Sequence, residues 1–180
     1  DESWVRVQPG VVLDELNAYL KPHHLLFAPD VATSSRANIG GMIGNNSCGA
    51  HSIVYGKAID HVQELKVILA DGMATTFAAV AEDEYQRCAA QDDLEGQIYR
   101  EIRRIVRDRK EQISAGFPAV MRRVSGYNLD EFIKDAPFDL SKIVVGSEGT
   151  LCTVVEARLH LVELPAYKGL VAVHFRDIVE

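Results

Sequence analysis

Between residues 28 and 56 the chain loses any sustained hydrophobic period, and five of its thirteen glycines fall between Gly40 and Gly56. A loop of that length inside a compact domain is uncommon unless it has a task. The periodic segments on either side must therefore supply the scaffold, and this stretch reads as what the scaffold carries. Its centre is Ile39-Gly40-Gly41-Met42-Ile43-Gly44-Asn45-Asn46-Ser47-Cys48-Gly49. Adjacent glycines let a backbone approach a ligand closely and turn successive N–H groups toward it, an arrangement that suits phosphate oxygens. A helix N-terminus nearby adds partial positive charge. Asn and Ser side chains add hydrogen bonds without fixed charge. Each glycine in ordered structure costs about 0.5–1 kcal/mol relative to Ala, so five so close together need a compensating reason. On composition alone two readings stand level: a structural loop of tight turns, or a wall against which a nucleotide rests.

The flanks are legible by period and punctuation. Trp4 to Val7 reads as a strand, Pro9-Gly10 as a turn, and Val11 to Leu20 as an amphipathic helix stopped by Pro22. Val62 to Leu69 is strand-like, and Asp71-Gly72 before Ala74 to Phe77 predicts a hairpin with a type I′ turn. Helices are expected from Val80 to about Ala90 and from Leu94 to about Ile113, and a single helical turn from Leu129 to Ile133. A second small-residue loop, Gly146-Ser147-Glu148-Gly149-Thr150, precedes a long strand from Leu151 to Leu161 with Val155, Ala157, Leu159 and Leu161 on one face. Beyond Pro165, Leu170 to Phe175 reads as a further strand with a helix just starting after it. Strands that come as hairpin neighbours predict an α+β fold, a mostly antiparallel sheet flanked by helices. No GxGxxG lies between a strand and a helix, which counts against a Rossmann fold.

At 180 residues the chain can bury a sizeable core without disulfides or structural metal. No apolar run approaches the roughly 20 residues of a membrane helix. The net charge of −7 argues against a nucleic-acid surface. The basic cluster Arg100, Arg103, Arg104, Arg107, Arg109 and Lys110 shares its helix with Glu95, Glu101, Asp108 and Glu111, as an ion-paired solvated face does. Three widely spaced cysteines without a CxxC predict no zinc or iron–sulfur site in this segment, and reduced thiols of a cytoplasmic protein. His23-His24 reads as an exposed turn, and His51 as a loop-stabilising residue in preference to a partner for Cys48 in nucleophilic chemistry. The opening Asp1-Glu2-Ser3 is no secretory leader, and both ends read as cuts from a longer chain.

The order of these pieces breaks the tie over the loop. Ile39-Gly40-Gly41, Asn45-Asn46-Ser47-Cys48-Gly49, Tyr55-Gly56, the Asp71-Gly72 hairpin, Ser125-Gly126-Tyr127-Asn128-Leu129 and Gly146-Ser147-Glu148-Gly149-Thr150 together resemble the FAD-linked oxidases and dehydrogenases of the vanillyl-alcohol-oxidase/PCMH type. The segments Asn-Asn-Ser-Cys-Gly-Ala-His and Arg122 to Asn128 look closest to bacterial D-2-hydroxyacid dehydrogenases (D-lactate, glycolate or D-2-hydroxyglutarate type) fused to an iron–sulfur domain. The resemblance implies FAD as cofactor. Pro29, Asp30, Ile39, Gly40 and Gly41 would line the flavin and its pyrophosphate with their backbone donors, and Asn45, Asn46, Ser47 and Gly49 would continue that wall past Tyr55 and Gly56. Glu148, Gly149, Thr150 and Val154 would approach the adenine-ribose end. Cys48 stands where many relatives have a second glycine, and Cys152-Thr153 replaces the common Gly-Ile.

It further implies that residues 1–165 are an FAD-binding domain without its N-terminal subdomain, and that residues 166–180 begin a cap that binds the substrate. The parent would oxidise a D-2-hydroxyacid to a 2-oxoacid by hydride transfer to FAD, then pass electrons to an iron–sulfur domain or a quinone. It would act in the cytoplasm or at the membrane periphery. The rival readings are another FAD-dependent sugar or alcohol oxidase on the same scaffold, and a non-catalytic nucleotide- or phosphate-binding module.

Overall fold

A computed structural model describes residues 3–123, 125–167 and 169–177. Its centre is a five-stranded, wholly antiparallel sheet built from β1 (Trp4–Val7), β3 (Val62–Ile68), β4 (Ala74–Val80), β5 (Phe138–Asp139) and β6 (Thr153–His160), in the order β1-β6-β3-β4-β5. A second pair, β2 (Leu25–Leu26) with β7 (Val162–Glu163), lies apart from it. Helices α1 (Leu13–Leu20), α2 (Ile39–Asn45), α3 (Ser52–Tyr55), α4 (Ala58–His61), α5 (Glu82–Ala89), α6 (Leu94–Gly116) and α7 (Ser141–Val144) complete the fold. The α+β class with an antiparallel sheet is as expected. Buried Leu13, Leu16 and Leu20 of α1, Ile39, Met42 and Ile43 of α2, and Leu65, Val67, Phe77, Ala157 and Leu159 of the sheet form one contiguous core.

The structure corrects several local expectations. The glycine-rich stretch is not loop throughout: Asn38 caps α2 by accepting from the Gly41 N–H at 2.8 Å. Ile39, Met42 and Ile43, spaced for one helical face, are at most 2% exposed. Burial of that face outweighs the roughly 1 kcal/mol that each helical glycine costs. The hairpin after β3 does not use a type I′ turn, which needs positive φ at both central residues. Here Gly72 has φ +85° while Asp71 does not have positive φ, and Leu69 both accepts from Gly72 and donates to Met73. That is a three-residue loop closed by a glycine bulge. Strand β4 runs on to Val80 because Ala79 and Val80 pair with β5, so α5 begins only at Glu82.

Strand β6 carries a bulge. Lys66 pairs with Glu156 but Val67 with Val154, which leaves Val155 as the extra residue. A bulge switches which side chains face inward. Val154, rather than the expected Val155, packs against the core below Ala157, Leu159 and Leu161. Finally, Leu170 to Phe175 is irregular and exposed instead of a strand. Without a partner ladder its backbone has no reason to extend. Of the helix expected to start after Phe175, Arg176 and Asp177 are bends and the rest, residues 178–180, lies outside the described residues. Leu129–Ile133 does form a short 3-10 helix, and His23 and His24 lie exposed in a turn.

Candidate cofactor site

The two glycine-rich segments, far apart in sequence, dock directly. At the C-terminal end of α2 the carbonyls of Ile43 and Gly44 accept from the backbone N–H groups of Gly146 and Glu148, at 2.9 and 3.0 Å. Those carbonyls belong to the last turn of a helix, where acceptors lack the usual partner four residues on, and Ile43 also accepts from the capping Asn46 N–H at 3.1 Å. Beyond them the chain turns through Asn46 at φ +52°. The buried Asn46 side chain accepts from the Ile59 N–H at 3.0 Å and ties the turn to α4. Ser47 donates to Met42 and accepts from Ala58 through its backbone, while Asn45 is exposed.

Along this seam lies a cleft of about 260 Å³ bordered by Pro9, Gly40, Gly44, Gly149 and Val154. Three of these five residues present bare backbone, and the bulge brings Val154 to its edge. Cys152 also lines the cleft, and burial pushes its thiol up to about 11, so near neutral pH it is an uncharged wall. Such a surface suits a flat apolar ring more than an anion. The donors expected to face a phosphate are spent inside the protein. Ile39 donates to Val11 and Gly40 to Pro9, both at 2.8 Å, and Gly41 donates to Asn38. These three N–H groups hold α2 against the turn after β1 and its own N-cap.

The second segment is held open by backbone conformation. Gly146, Glu148 and Gly149 all have positive φ, at +86°, +53° and +73°. The buried Asn128 side chain donates to the Val145 carbonyl at 2.7 Å, and the Tyr127 hydroxyl meets Thr150 Oγ1 at 3.0 Å. Asn128 and Tyr127 thus shape the loop carrying Glu148, Gly149 and Thr150, a role their spacing in the sequence did not disclose. Asn38 also went unread, although an Asn before a buried helical face is a cap signal.

The remaining sequence-predicted residues gather around Asp30. Buried Pro29 leads to Asp30, whose carboxylate takes His51 Nδ1 at 2.8 Å and the His51 N–H at 3.2 Å. His51 is thus engaged by Asp30, in line with a loop-stabilising bond. Gly49 lies so close that a Cβ on it would come within 2.2 Å of the Asp30 carboxylate, and Arg122 donates to the Gly49 carbonyl at 2.6 Å. Asp30, His51 and Tyr55 border a second cleft, of about 600 Å³. Gly56 ends α3 at φ +79°, and the buried His61 ring meets the Tyr55 carbonyl at 2.7 Å. The sequence-predicted residues therefore fall into two groups, one along the seam of α2 with Gly146 and Glu148 and one around Asp30 and His51. Among the described residues no cluster suited to a metal ion occurs, and no helix is long and apolar enough to cross a membrane.

Comparison with known proteins gives this arrangement a context. Residues 1–78 match the FAD binding domain family. The D-2-hydroxyglutarate dehydrogenase of Pseudomonas putida is 39% identical over 181 residues, covering 100% of this chain and 18% of that protein. The Escherichia coli protein of the same name is 38% identical over 177 residues, 97% of this chain and 17% of its own length. Glycolate oxidase subunit GlcD of Escherichia coli is 35% identical over 78 residues, 43% of this chain and 16% of that protein. The chain thus spans less than a fifth of the length of each of these three relatives. Among solved structures, alkyldihydroxyacetonephosphate synthase shares the fold at a TM-score of 0.52 and 17% identity, over 92% of this chain and 20% of that one. The resemblance to the FAD-linked oxidases and dehydrogenases of the vanillyl-alcohol-oxidase/PCMH type is thus borne out by the FAD binding domain match and by these relatives, and the solved structure agrees in fold.

Proposed function

We propose that residues 1–165 supply one wall of an FAD site in a longer oxidoreductase and that residues 166–180 open its substrate-binding cap. The observation that carries this reading is the direct docking of Gly146 and Glu148 on the end of α2, which joins two distant glycine-rich segments around one cleft. In this reading Gly40, Gly149 and Val154 lie against the cofactor along the cleft, and Ile39, Gly41, Glu148 and Thr150 belong to the same two segments of the wall. Pro29, Asp30, Asn45, Asn46, Ser47, Gly49, Tyr55 and Gly56 continue the wall on its other side. FAD, when bound, accepts the hydride, and the protein contributes position, exclusion of water and electrostatics.

The whole protein is assigned the oxidation of a D-2-hydroxyacid to a 2-oxoacid, with an iron–sulfur domain or a quinone taking the electrons onward. Cytoplasmic placement, free or at the membrane periphery, belongs to the same proposal. The similarity to D-2-hydroxyglutarate dehydrogenases over nearly the whole chain supports this substrate class over sugars and other alcohols. The test is the visible spectrum of the full-length protein, followed by anaerobic titration with D-2-hydroxyglutarate, D-lactate and glycolate. A flavin spectrum that bleaches with one of these acids is the expected result. Bleaching only with a sugar or simple alcohol would move the assignment to another oxidase. A colourless protein that takes up no FAD would overturn it in favour of a non-catalytic module. Gly41→Val places bulk against the Asn38 cap and is expected to abolish flavin retention while circular dichroism stays that of the parent.

A further inference from the structure

Protein interiors are packed closely and seldom leave voids much larger than a water molecule. Next to the cofactor cleft, however, a second cavity of about 420 Å³ reaches into the core. Ile98 and Ile102 of α6 stand on one side of it, and its floor is formed by Phe77, Leu140 and Val144, each at most 3% exposed. Val144 and Cys152 line the cofactor cleft as well, so the two cavities stand back to back. A void of about 150 Å³ with such a lining already holds a benzene ring, and this larger one falls within the size range of small-molecule sites.

Among the described residues of its wall only Glu101 and Tyr127 carry a side-chain oxygen, and both are partly exposed, which places them at the mouth. Thr150 Oγ1 gives its one proton to the Ser147 carbonyl at 2.6 Å. The Tyr127 hydroxyl must therefore donate to Thr150, and its own oxygen is left to accept. Arg104 takes Glu101 through Oε2, at 2.7 and 3.0 Å, which leaves Oε1 as an acceptor. The same hydrogen-bonded pairing holds the Glu101 carboxyl below the usual carboxylate range, so it is charged near neutral pH. The mouth thus offers two acceptors and a negative charge above an apolar floor.

We propose that this cavity binds a small apolar molecule, a hydrocarbon chain or ring whose one polar end donates a hydrogen bond, as an alcohol or an amine does. A polypeptide filling the cavity would bring N–H and C=O groups that need partners, and the side chains of the floor offer none. A fatty acid would bring a second carboxylate against Glu101. The site goes beyond the cofactor reading and needs no flavin. Its occupant would nevertheless press on the wall that Val144 and Cys152 share with the cleft.

The test uses the full-length protein and N-phenyl-1-naphthylamine, an uncharged fluorescent amine whose emission rises in apolar surroundings. Saturable binding is expected, with displacement by octanol and octylamine and roughly tenfold weaker displacement by octanoate. Glu101→Gln should close most of that gap, because it removes the charge at the mouth and keeps the shape. Ile102→Trp should fill the cavity and abolish probe binding while circular dichroism stays that of the parent. Absence of saturable binding to wild type, as when other parts of the longer polypeptide occupy the cavity, would overturn the proposal. Equal displacement by octanol and octanoate would do the same, as would undiminished binding in a folded Ile102→Trp protein. If Ile102→Trp does not fold, the contrast between wild type and Glu101→Gln decides. None of these measurements reads the flavin, so their outcome is independent of the cofactor assignment.

Discussion

The two glycine-rich segments look alike as sequence and differ as physics. In the first, Gly49 sits at an ordinary backbone angle and is required because Asp30 occupies the space a Cβ would need. In the second, Gly149 has open space around its would-be Cβ and is required because its φ of +73° suits no L side chain well. One glycine answers a steric demand made by another part of the chain. The other answers a local conformational demand. Composition alone cannot separate them, but mutation can.

The largest effect is expected from Gly49→Ala. The added methyl has nowhere to go, so the protein should lose about 3 kcal/mol or more in a urea unfolding series. Gly49→Asn should be no better. A loss near zero would mean that Asp30 moves freely, and would break the steric half of the comparison. Next is Asn128→Ala, which strips the Val145 carbonyl of its side-chain donor beneath the second segment and should cost about 1–3 kcal/mol by the same measurement. Gly149→Ala should cost about 1–2 kcal/mol from backbone strain alone. Here Gly149→Asn should recover a good part of the loss, since Asn tolerates left-handed backbone. Rescue by Asn at 149 and not at 49 is the sharpest form of the contrast.

The smallest effect lies outside both segments. Arg103 on α6 holds the Glu82 carboxyl down from 4.5 to about 2, with help from Gln86. A depressed carboxyl contributes stability above its unfolded value and loses it as pH falls through the folded one. Glu82→Gln should therefore slightly flatten the stability profile between about pH 4.5 and 2 and leave flavin binding untouched. A change in flavin binding would mean that α5 and α6 are coupled to the cofactor wall.

Much of the scaffold was legible because hydrophobic period and punctuation are local. Leu13, Leu16 and Leu20 mark a helix face, and Asp71-Gly72 marks a hairpin. What escaped depends on partners the linear pattern does not contain. Glycines masked α2, which forms because Ile39, Met42 and Ile43 find a core to bury in. Leu170 to Phe175 has the apolar run of a strand but forms none, because a strand is a pairing and an apolar run supplies no partner. The Val155 bulge follows from the register between β6 and β3. At the candidate site the residue types were readable and their partners were not. Asp30 was noted, but that it grips His51 and abuts Gly49 is a fact of three dimensions.

The seam between Ile43 and Gly146 also bears on how the protein assembles. It closes a loop of roughly a hundred residues, and β6 must insert between β1 and β3 before the first strand has a neighbour. Such non-local closure is slow and is won late in folding. The cleft is thus among the last features to exist and among the first lost when the chain breathes. A cofactor lying across it would act as a clasp on that long loop, and the holoprotein should unfold more slowly than the apoprotein.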